Sequence, residues 1–284
     1  MGAKRKSVTR KGVPARQSRP AWKPGLTALV TGASGGIGYA LSRFLAEKGF
    51  NLILVARSVS KLDELSSDLR RLFDISVLVV PGDLAMFGAA EKVYQSVTAE
   101  GITVDLLVNN AGIGTFGPFS ETEINEELAM IQVNVTSLAH LTKLFLPSMV
   151  KRRAGRILNV ASTAAFQPGP LMANYYATKS YVVSLSAALA EEVRNTGVTV
   201  SVLCPGPTHT EFHKRARMED SGLMKLSFMS SEEVARIGYE GVMNGKRIIV
   251  PGMLNKLGVA ASKFAPLTFS ASVVRKIQRR RRSI

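Results

Sequence analysis

Short apolar runs alternate with longer amphipathic segments through most of the 284-residue chain. The apolar runs predict seven strands, at Leu26–Val30, Leu52–Val55, Val77–Val80, Val104–Val108, Arg156–Val160, Val198–Leu203 and Arg247–Val250. Within these runs the apolar residues are nearly continuous instead of alternating with polar ones. This pattern is typical of strands that are buried on both faces of a sheet.

The segments between the strands have the spacing of amphipathic helices. The predicted helices run from Ile37 to about Gly49, over Ser60–Leu72, Ala89–Ala99, Glu121–Met149 and Ala173–Asn195, and from Ser230 to about Gly245. Gly49 stands where a C-terminal cap is expected, and Ser230 with Glu233 has the spacing of a capping box. Strands separated by helices predict an α/β fold, a Rossmann-type doubly wound parallel sheet of about seven strands with helices on both faces.

The charges divide the chain into three parts. Residues 1–24 and residues 251–284 each carry eight Lys or Arg and no acid, whereas residues 25–250 hold 21 basic and 21 acidic residues. We therefore expect a basic, disordered N-terminal arm (1–24), one Rossmann-fold domain (25–252) and a basic C-terminal extension (253–284). Because the domain has no net charge, we expect no specific nucleic-acid-binding face.

Several features bear on location. Cys204 is the single cysteine, so no intrachain disulfide can form, which fits a reducing compartment such as the cytoplasm. No apolar stretch reaches the roughly 18 residues of a transmembrane helix. In the C-terminal extension, apolar residues precede Arg275, Lys276 and the Arg279–Arg282 cluster. This order is compatible with peripheral contact with an anionic membrane, and oligomer packing or a loose tail is the alternative.

A glycine-rich turn, Thr31-Gly-Ala-Ser-Gly-Gly-Ile-Gly38, follows the first strand. Glycines permit a tight turn and leave room for phosphate, and the N-terminus of the next helix attracts anions. A position between the first strand and the first helix is the context of a dinucleotide-binding turn. The predicted cofactor contacts here are Gly32, Ser34, Gly35, Gly36, Ile37 and Gly38. A tight turn without a ligand is the alternative.

The end of the second strand indicates which dinucleotide is bound. An acid there would favour NAD through the ribose 2′-hydroxyl, but the sequence reads Val55-Ala-Arg-Ser58. Arg57 can bind a 2′-phosphate, so we predict NADP(H), with a solvated arginine as the alternative. Asp83, which precedes Leu84 after the third strand, could accept a hydrogen bond from the adenine amine or cap the following helix. Arg57, Asp83 and Leu84 are predicted cofactor contacts.

Tyr175 and Lys179 are four residues apart on a predicted helix, which places them on one face. We expect the Lys179 ammonium to lower the pKa of the Tyr175 phenol from about 10 toward the working range. The phenol could then exchange a proton with a carbonyl oxygen while hydride moves at the carbon. Ser162, at the end of the preceding strand, could hold that oxygen. Tyr176 is an internal comparison, because the residue four positions after it is Ser180.

Taken in order, these motifs resemble those of the short-chain dehydrogenases/reductases over about residues 26–252. The matching motifs are Thr31-Gly-x-x-x-Gly36-x-Gly38, Asn109-Asn110-Ala111-Gly112, Asn134, Ser162 thirteen residues before Tyr175, Tyr175-x-x-x-Lys179, and Pro205-Gly206 followed by Thr208 and Thr210. The C-terminal segment is similar to the tails of an NADP-preferring bacterial subgroup of this family.

The resemblance implies roles for individual residues. Tyr175 is the general acid/base, Lys179 tunes it and binds the nicotinamide ribose, and Ser162 orients the substrate. Asn134 supports a water of the proton relay, although without the family it would look like an ordinary polar helix residue. Further implied cofactor contacts are Asn110, Pro205 and Thr208. The family also implies a homodimer or homotetramer packed through the two long helices, and we expect no metal site.

The segment Phe212–Met229 lies where this family covers its substrate. Its apolar residues are Met218, Leu223, Met224, Leu226, Phe228 and Met229. They suit a hydrophobic or acyl substrate, and core packing explains them equally well. Lys214, Arg215 and Arg217 could meet an anionic carrier or coenzyme, or form a solvated face.

Together these features predict an NADP(H)-dependent oxidoreductase that transfers a hydride between nicotinamide and a carbonyl or alcohol carbon of a small molecule. A 3-oxoacyl-thioester reductase is the nearest specific alternative. A non-catalytic NADP(H)-binding sensor is the alternative from another class. A sensor would not need Ser162, Tyr175 and Lys179 together, so the intact set favours the enzyme.

Overall fold

The computed structural model describes residues 25–218, 221–222 and 228–278. The predicted basic arm at the N-terminus lies outside the described residues, and so does the Arg279–Arg282 cluster. Leu223, Met224 and Leu226 of the expected substrate cover also lie outside them.

Seven strands form one parallel sheet: β1 (Thr27–Thr31), β2 (Asn51–Ala56), β3 (Val77–Pro81), β4 (Leu106–Asn109), β5 (Gly155–Val160), β6 (Val198–Leu203) and β7 (Ile248–Ile249). Their order across the sheet is β3-β2-β1-β4-β5-β6-β7. The predicted fold class is confirmed. β4 begins later than predicted, at a point where the Asp105 carboxylate accepts a hydrogen bond from the Thr27 amide at 2.9 Å. β7 is short because this edge strand pairs with β6 through two residues only.

The helices are α1 (Gly36–Glu47), α2 (Val59–Leu72), α3 (Ala89–Ala99), α4 (Ile124–Ile131), α5 (Leu138–Lys151), α6 (Ala173–Glu192), α7 (Phe212–Arg215), α8 (Ser231–Met243), α9 (Met253–Ser262) and α10 (Leu267–Gln278). The predicted helix at 121–149 is not uniform, because a π-helical segment, Gln132–Ser137, separates α4 from α5. Such segments occur frequently at functional sites. The predicted capping box is present, since Ser230 Oγ accepts from the Glu233 amide at 3.0 Å.

Apolar layers cover both faces of the sheet. Successive strand residues point to opposite faces. In β1, Ala28 and Val30 pack with buried residues of α1, α2 and α8, whereas Leu29 packs with those of α3, α5 and α6. This double burial explains why the strands are continuous apolar runs.

The strand order reverses between β1 and β4. From β1 the chain moves outward through β2 to β3, and from β4 it moves the other way toward β7. In doubly wound sheets, ligands bind at such a reversal, outside the carboxyl ends of the strands. The topology therefore places a binding crevice above the glycine-rich turn and the end of β4.

The described part of the C-terminal extension is helical. Val259 of α9 and Val274 of α10 are buried, so both helices pack on the domain instead of forming a loose tail. None of the helices in the described part of the chain has the length and apolar character needed to cross a bilayer.

Candidate active site

A cleft of about 1130 Å³ opens at the carboxyl ends of the strands. The loops after β1 to β6 line it, together with the segment around α7 and residues of α9 and α10. All of the predicted site residues except Gly38 and Asn134 contribute to this lining.

The glycine-rich turn has the shape that a phosphate site requires. Gly32 and Gly36 adopt φ angles of 67° and 55°, in the region that favours glycine. An added Cβ at Gly38 would lie 2.3 Å from the Gly32 carbonyl oxygen, so Gly38 packs α1 against β1 and does not face the cleft. At Gly35, an added Cβ would have no protein atom within 4 Å. No described side chain caps the start of α1, so its first amides are available to an anion.

The loop after β2 brings cations to the cleft. Arg57 and Ser58 line it, and so does Lys61 in the first turn of α2. Lys61 Nζ lies 3.9 Å from Glu211 Oε2 on the segment that covers the cleft. Two cations and a hydroxyl suit a phosphate better than a ribose diol. The sequence interpretation missed Lys61, although its place one turn after Arg57 was an available signal.

Asp83 and Leu84 line the cleft beside this loop, because β3 pairs with β2. Asp83 Oδ1 accepts a hydrogen bond from the Ala85 amide at 3.0 Å. The predicted helix-capping role is wrong, because α3 begins only at Ala89, with Gly88 as its N-cap. Asp83 instead closes the turn after β3 and keeps its second carboxylate oxygen as an acceptor.

Asn110 joins the ends of β4 and β1. Its Nδ2 donates to the Thr31 carbonyl at 2.9 Å. In return, Thr31 Oγ1 accepts from the amides of Asn110 and Ala111, each at 3.0 Å. These bonds fix the floor of the cleft at the point where the strand order reverses.

Ser162, Tyr175 and Lys179 come together from two elements. Ser162 lies just beyond β5, and the other two lie on one face of α6. The Ser162 and Tyr175 side chains are hydrogen-bonded. Lys179 Nζ lies 5.8 Å from the centroid of the Tyr175 ring. Ser162 Oγ also accepts from the Ala164 amide at 3.1 Å, which fixes its position.

Burial governs the proton affinities of these groups. It raises the pKa of Tyr175 from 10.0 to about 12, while the Ser162 hydrogen bond opposes this rise and Tyr176 adds to it. The net pKa shift of Tyr175 is therefore upward, opposite to the predicted direction, because burial outweighs the interactions that favour the phenolate. Lys179 Nζ donates to the Val160 carbonyl at 2.9 Å, and burial lowers its own pKa from 10.5 to about 8. At neutral pH Tyr175 is protonated and can donate a proton.

Asn134 lies behind the cleft, in the π-helical segment. Its Oδ1 accepts from the Ile113 amide at 3.0 Å, and its Nδ2 donates to the Ile113 carbonyl at 2.9 Å and to Thr178 Oγ1 at 3.1 Å. An added Cβ at Gly112 would lie 3.2 Å from Lys179 Nζ and 3.4 Å from Asn134 Oδ1. The backbone at Gly112 is thus packed closely against both side chains, and a larger residue there would crowd Lys179 and Asn134.

The chain after β6 forms the opposite wall of the cleft. The Pro205 carbonyl accepts from the Thr163 amide at 2.8 Å, and Thr208 Oγ1 donates to the Gly206 carbonyl at 2.9 Å. An added Cβ at Gly206 would lie 2.4 Å from Asn255 Oδ1 of α9. The Pro-Gly segment is therefore packed directly against the C-terminal extension.

The basic residues near α7 are mostly engaged with acids. Arg215 pairs with Glu211 at 2.7 Å, and Arg217 pairs with Glu126 of α4. Lys214 is exposed. These contacts favour a solvated, paired face over an anion site, and the Arg217 pair ties the covering segment to the other side of the cleft.

Beyond Tyr175 the cleft is apolar. The buried cluster there contains Phe116, Ala164, Met172, Tyr176, Ala216, Met218 and Val274, with Leu171, Tyr175 and Phe212 packed against it. The Phe212 ring lies 5.2 Å from the Tyr175 ring. Phe228, expected in the substrate cover, packs on His213 at 4.8 Å. The sequence interpretation missed Phe116, Met172 and Val274, because they come from separate elements that no local pattern connects.

Known proteins share these features. The chain matches the family model described as short chain dehydrogenase over residues 26–221. A very-long-chain 3-oxoacyl-CoA reductase of Pyrenophora tritici-repentis (strain Pt-1C-BFP) is 39% identical over 180 residues, which cover 62% of this chain and 53% of that protein. The Homo sapiens protein of the same name is 35% identical over 230 residues, covering 78% of this chain and 72% of that protein.

A 17-beta-hydroxysteroid dehydrogenase type 3 of Mus musculus is 36% identical over 195 residues, covering 67% of this chain and 62% of that protein. The chain thus spans between about half and two thirds of the length of the fungal and mouse relatives that it matches.

Two solved structures are similar over nearly their whole length. A short-chain dehydrogenase from Sphingobium yanoikuyae in complex with NADPH has a TM-score of 0.76 and 28% identity, covering 85% of this chain and 96% of that one. A 7beta-hydroxysteroid dehydrogenase has a TM-score of 0.79 and 25% identity, covering 88% and 96%. Because the family model matches residues 26–221, well over half of the chain, the chain belongs to the short chain dehydrogenase family.

Proposed function

We propose that this protein is an NADP(H)-dependent oxidoreductase that interconverts a carbonyl and an alcohol on a hydrophobic substrate, with 3-oxoacyl thioesters as the first candidate class. The observation that carries the proposal is the meeting of Ser162, Tyr175 and Lys179 in one cleft, between a glycine-rich turn and an apolar cluster. A half-buried tyrosine beside a buried lysine at this place suits proton transfer better than simple cofactor binding.

The glycine-rich turn and the loop after β2 are the proposed cofactor site. The open space at Gly35 and the uncapped start of α1 suit a pyrophosphate, and Arg57 with Lys61 suits a 2′-phosphate. Lys179 is the proposed partner of the nicotinamide ribose. When bound, the nicotinamide supplies the hydride that is exchanged with the carbonyl carbon.

Tyr175 is the proposed acid in the reducing direction. Ser162 holds the carbonyl oxygen, and Tyr175 transfers its phenolic proton to that oxygen as the carbon is reduced. The bond from oxygen to hydrogen breaks at Tyr175 and forms on the substrate, which leaves a phenolate. The Lys179 ammonium stabilises this anion by its charge, and Tyr175 regains a proton from a water that Asn134 is proposed to support.

The apolar cluster beyond Tyr175 supports a hydrophobic substrate. Relatives named very-long-chain 3-oxoacyl-CoA reductase and 17-beta-hydroxysteroid dehydrogenase point to acyl and steroid carbonyls as the classes to test. We favour acyl thioesters because several relatives carry the name very-long-chain 3-oxoacyl-CoA reductase and because residues of α7, α9 and α10 line the cleft.

The proposed assembly is a homodimer or homotetramer packed through the long helices. Ile124 and Leu128 of α4 and Tyr181 of α6 are exposed apolar side chains, which supports contact at that face. The proposed location is the cytoplasm, with the C-terminal extension in peripheral contact with a membrane.

The proposal is tested by measuring NADPH oxidation in the presence of 3-oxoacyl thioesters, hydrophobic ketones, aldehydes and sterols. The same assays are run in parallel with NADH. Turnover with NADPH on one class supports the reaction and identifies the substrate class. Tight NADPH binding without turnover on any class would favour the sensor instead.

A further inference from the structure

The two C-terminal helices expose large apolar side chains that the domain leaves uncovered. The exposed residues are Met253, Leu254 and Leu257 of α9, Phe264 of the connection, and Leu267, Phe269, Val273 and Ile277 of α10. Phe264 is 89% exposed and Leu254 is 78% exposed. Eight such residues within 25 positions are far more than the scattered single exposures that are normal on a soluble surface. We call this set the C-terminal apolar face.

On α10, the exposed and buried residues occupy separate stripes. Ser270, Val274 and Gln278 are buried at helical spacing, while Phe269, Val273 and Ile277 form a neighbouring exposed stripe with the same spacing. Core packing therefore accounts for the first stripe and not for the second.

The charge around the C-terminal apolar face has one sign. Lys256, Lys263, Arg275 and Lys276 are exposed within the same two helices and their connection, and residues 251–284 contain no acid. Apolar residues flanked by cations suit the boundary between headgroups and acyl chains of an anionic bilayer. They do not suit a second copy of the same face, because a two-fold contact would bring these like charges together.

The same helices form the mouth of the cleft. Leu254 and Ile277 belong to the C-terminal apolar face and also line the cleft, together with the buried Val259 and Val274. Apolar side chains therefore continue from the exposed face, through Leu254 and Ile277, to Val259 and Val274 in the lining of the cleft.

A hydrogen bond connects this surface to the reactive end of the cleft. Gln278 is fully buried, and its Nε2 donates to the Tyr176 hydroxyl at 2.7 Å across 102 positions of sequence. Tyr176 directly follows Tyr175 in α6. The position of α10 on the domain is thus fixed next to the catalytic tyrosine.

We propose that the C-terminal apolar face docks on an anionic lipid bilayer and that an apolar substrate passes from the bilayer into the cleft between Leu254 and Ile277. This inference rests on the proposed function only for the identity of the substrate that enters. The docking itself follows from the exposed side chains and their charges.

Vesicle binding tests the docking step without any turnover. The full chain is sedimented with vesicles of phosphatidylcholine alone or of phosphatidylcholine mixed equally with phosphatidylglycerol, in low and high salt. We expect binding to the anionic vesicles, weakened by salt. The variant Leu257→Ser/Phe264→Ser/Phe269→Ser removes three exposed apolar side chains that do not line the cleft. It should lower the vesicle partition coefficient by roughly tenfold or more.

Phe87→Ser is the matched control, since Phe87 is 93% exposed and lies outside the C-terminal helices. It should bind vesicles as the unmodified protein does. A second variant, Lys256→Gln/Lys263→Gln, should bind anionic vesicles more weakly than the unmodified protein and neutral vesicles equally well. Absence of vesicle binding at low salt overturns the proposal, and so does equal binding by the triple serine variant. Self-association that the triple variant abolishes, without vesicle binding, would assign the face to a second copy and also overturn it.

Substrate entry is tested by comparing a long-chain 3-oxoacyl thioester held in vesicles with a short-chain, water-soluble one. The triple serine variant should reduce NADPH-dependent turnover of the first by about tenfold and leave turnover of the second unchanged. If the triple serine variant turns over both substrates as fast as the unmodified protein does, the entry route is overturned. If the unmodified protein binds vesicles but turns over neither substrate, the proposed function is contradicted and the docking proposal still stands.

Discussion

Lys179 is held beside Tyr175 by a third group, because its ammonium donates a 2.9 Å hydrogen bond to the Val160 carbonyl and lies 5.8 Å from the centroid of the Tyr175 ring. The cation is thus positioned by the end of β5 and not by the phenol. This leaves the phenol free to bond with Ser162, and it leaves Lys179 near the place where negative charge develops when Tyr175 gives up its proton.

Burial of the Lys179 ammonium should lower the free energy of unfolding of the protein. Burial lowers its pKa from 10.5 to about 8, so the folded state binds this proton less tightly than the unfolded state. The free-energy cost of burying this cation is fully present below pH 8, and it disappears as the pH rises toward 10.5.

We expect the stability of Lys179→Met, measured relative to the unmodified protein, to fall by about 3 kcal/mol between about pH 7 and about pH 10. Urea unfolding at several pH values measures the free energy of unfolding of both proteins. The tyrosines titrate in both, so their effects cancel in the difference. A pH-independent difference would mean that Lys179 is not held in a desolvated site.

Gly35 and Gly38 should respond to alanine in opposite ways. Gly35→Ala has open space around its Cβ and an extended backbone, so the fold should be unchanged. NADPH affinity should fall by about tenfold or more, because the new methyl group occupies the phosphate site. Gly38→Ala meets the Gly32 carbonyl at 2.3 Å, so it should lower the melting temperature. Unchanged NADPH binding by Gly35→Ala would mean that the phosphates lie elsewhere.

Arg57→Ala should discriminate between the two cofactors. Loss of a charge-assisted contact to the 2′-phosphate should raise the KM for NADPH by about tenfold to a hundredfold and leave the KM for NADH nearly unchanged. Arg71→Ala is the matched control, since Arg71 is an exposed cation in the last turn of α2, the helix that follows Arg57. Equal effects on NADPH and NADH would remove the assignment of Arg57 to the 2′-phosphate.

Local patterns predicted the sheet, the glycine-rich turn and the Ser162, Tyr175 and Lys179 set, because each depends on residues close in sequence or on family spacing. The wall formed by Val274 and Ile277 was not predicted, since it depends on packing of α10 beside Tyr176 of α6, a contact between residues distant in sequence. The direction of the pKa shift of Tyr175 was also wrong. Sequence spacing shows which charge is near a phenol but not how deeply the phenol is buried.

Tyr176 offers an internal comparison for the central claim. Burial raises the pKa of both tyrosines to about 12, but the Tyr176 hydroxyl bonds with Gln278 and not with Ser162. We therefore propose Tyr175, and not Tyr176, as the group that gives a proton to a substrate oxygen.

The most direct measurement is single-turnover NADPH oxidation by Tyr175→Phe and Tyr176→Phe, with NADPH affinity titrated on the same samples. Tyr175→Phe should bind NADPH as the unmodified protein does and lose turnover by about a thousandfold or more. Tyr176→Phe should retain most of its turnover. Substantial turnover by Tyr175→Phe would contradict the proposed role of this tyrosine, and with it the account of the cleft.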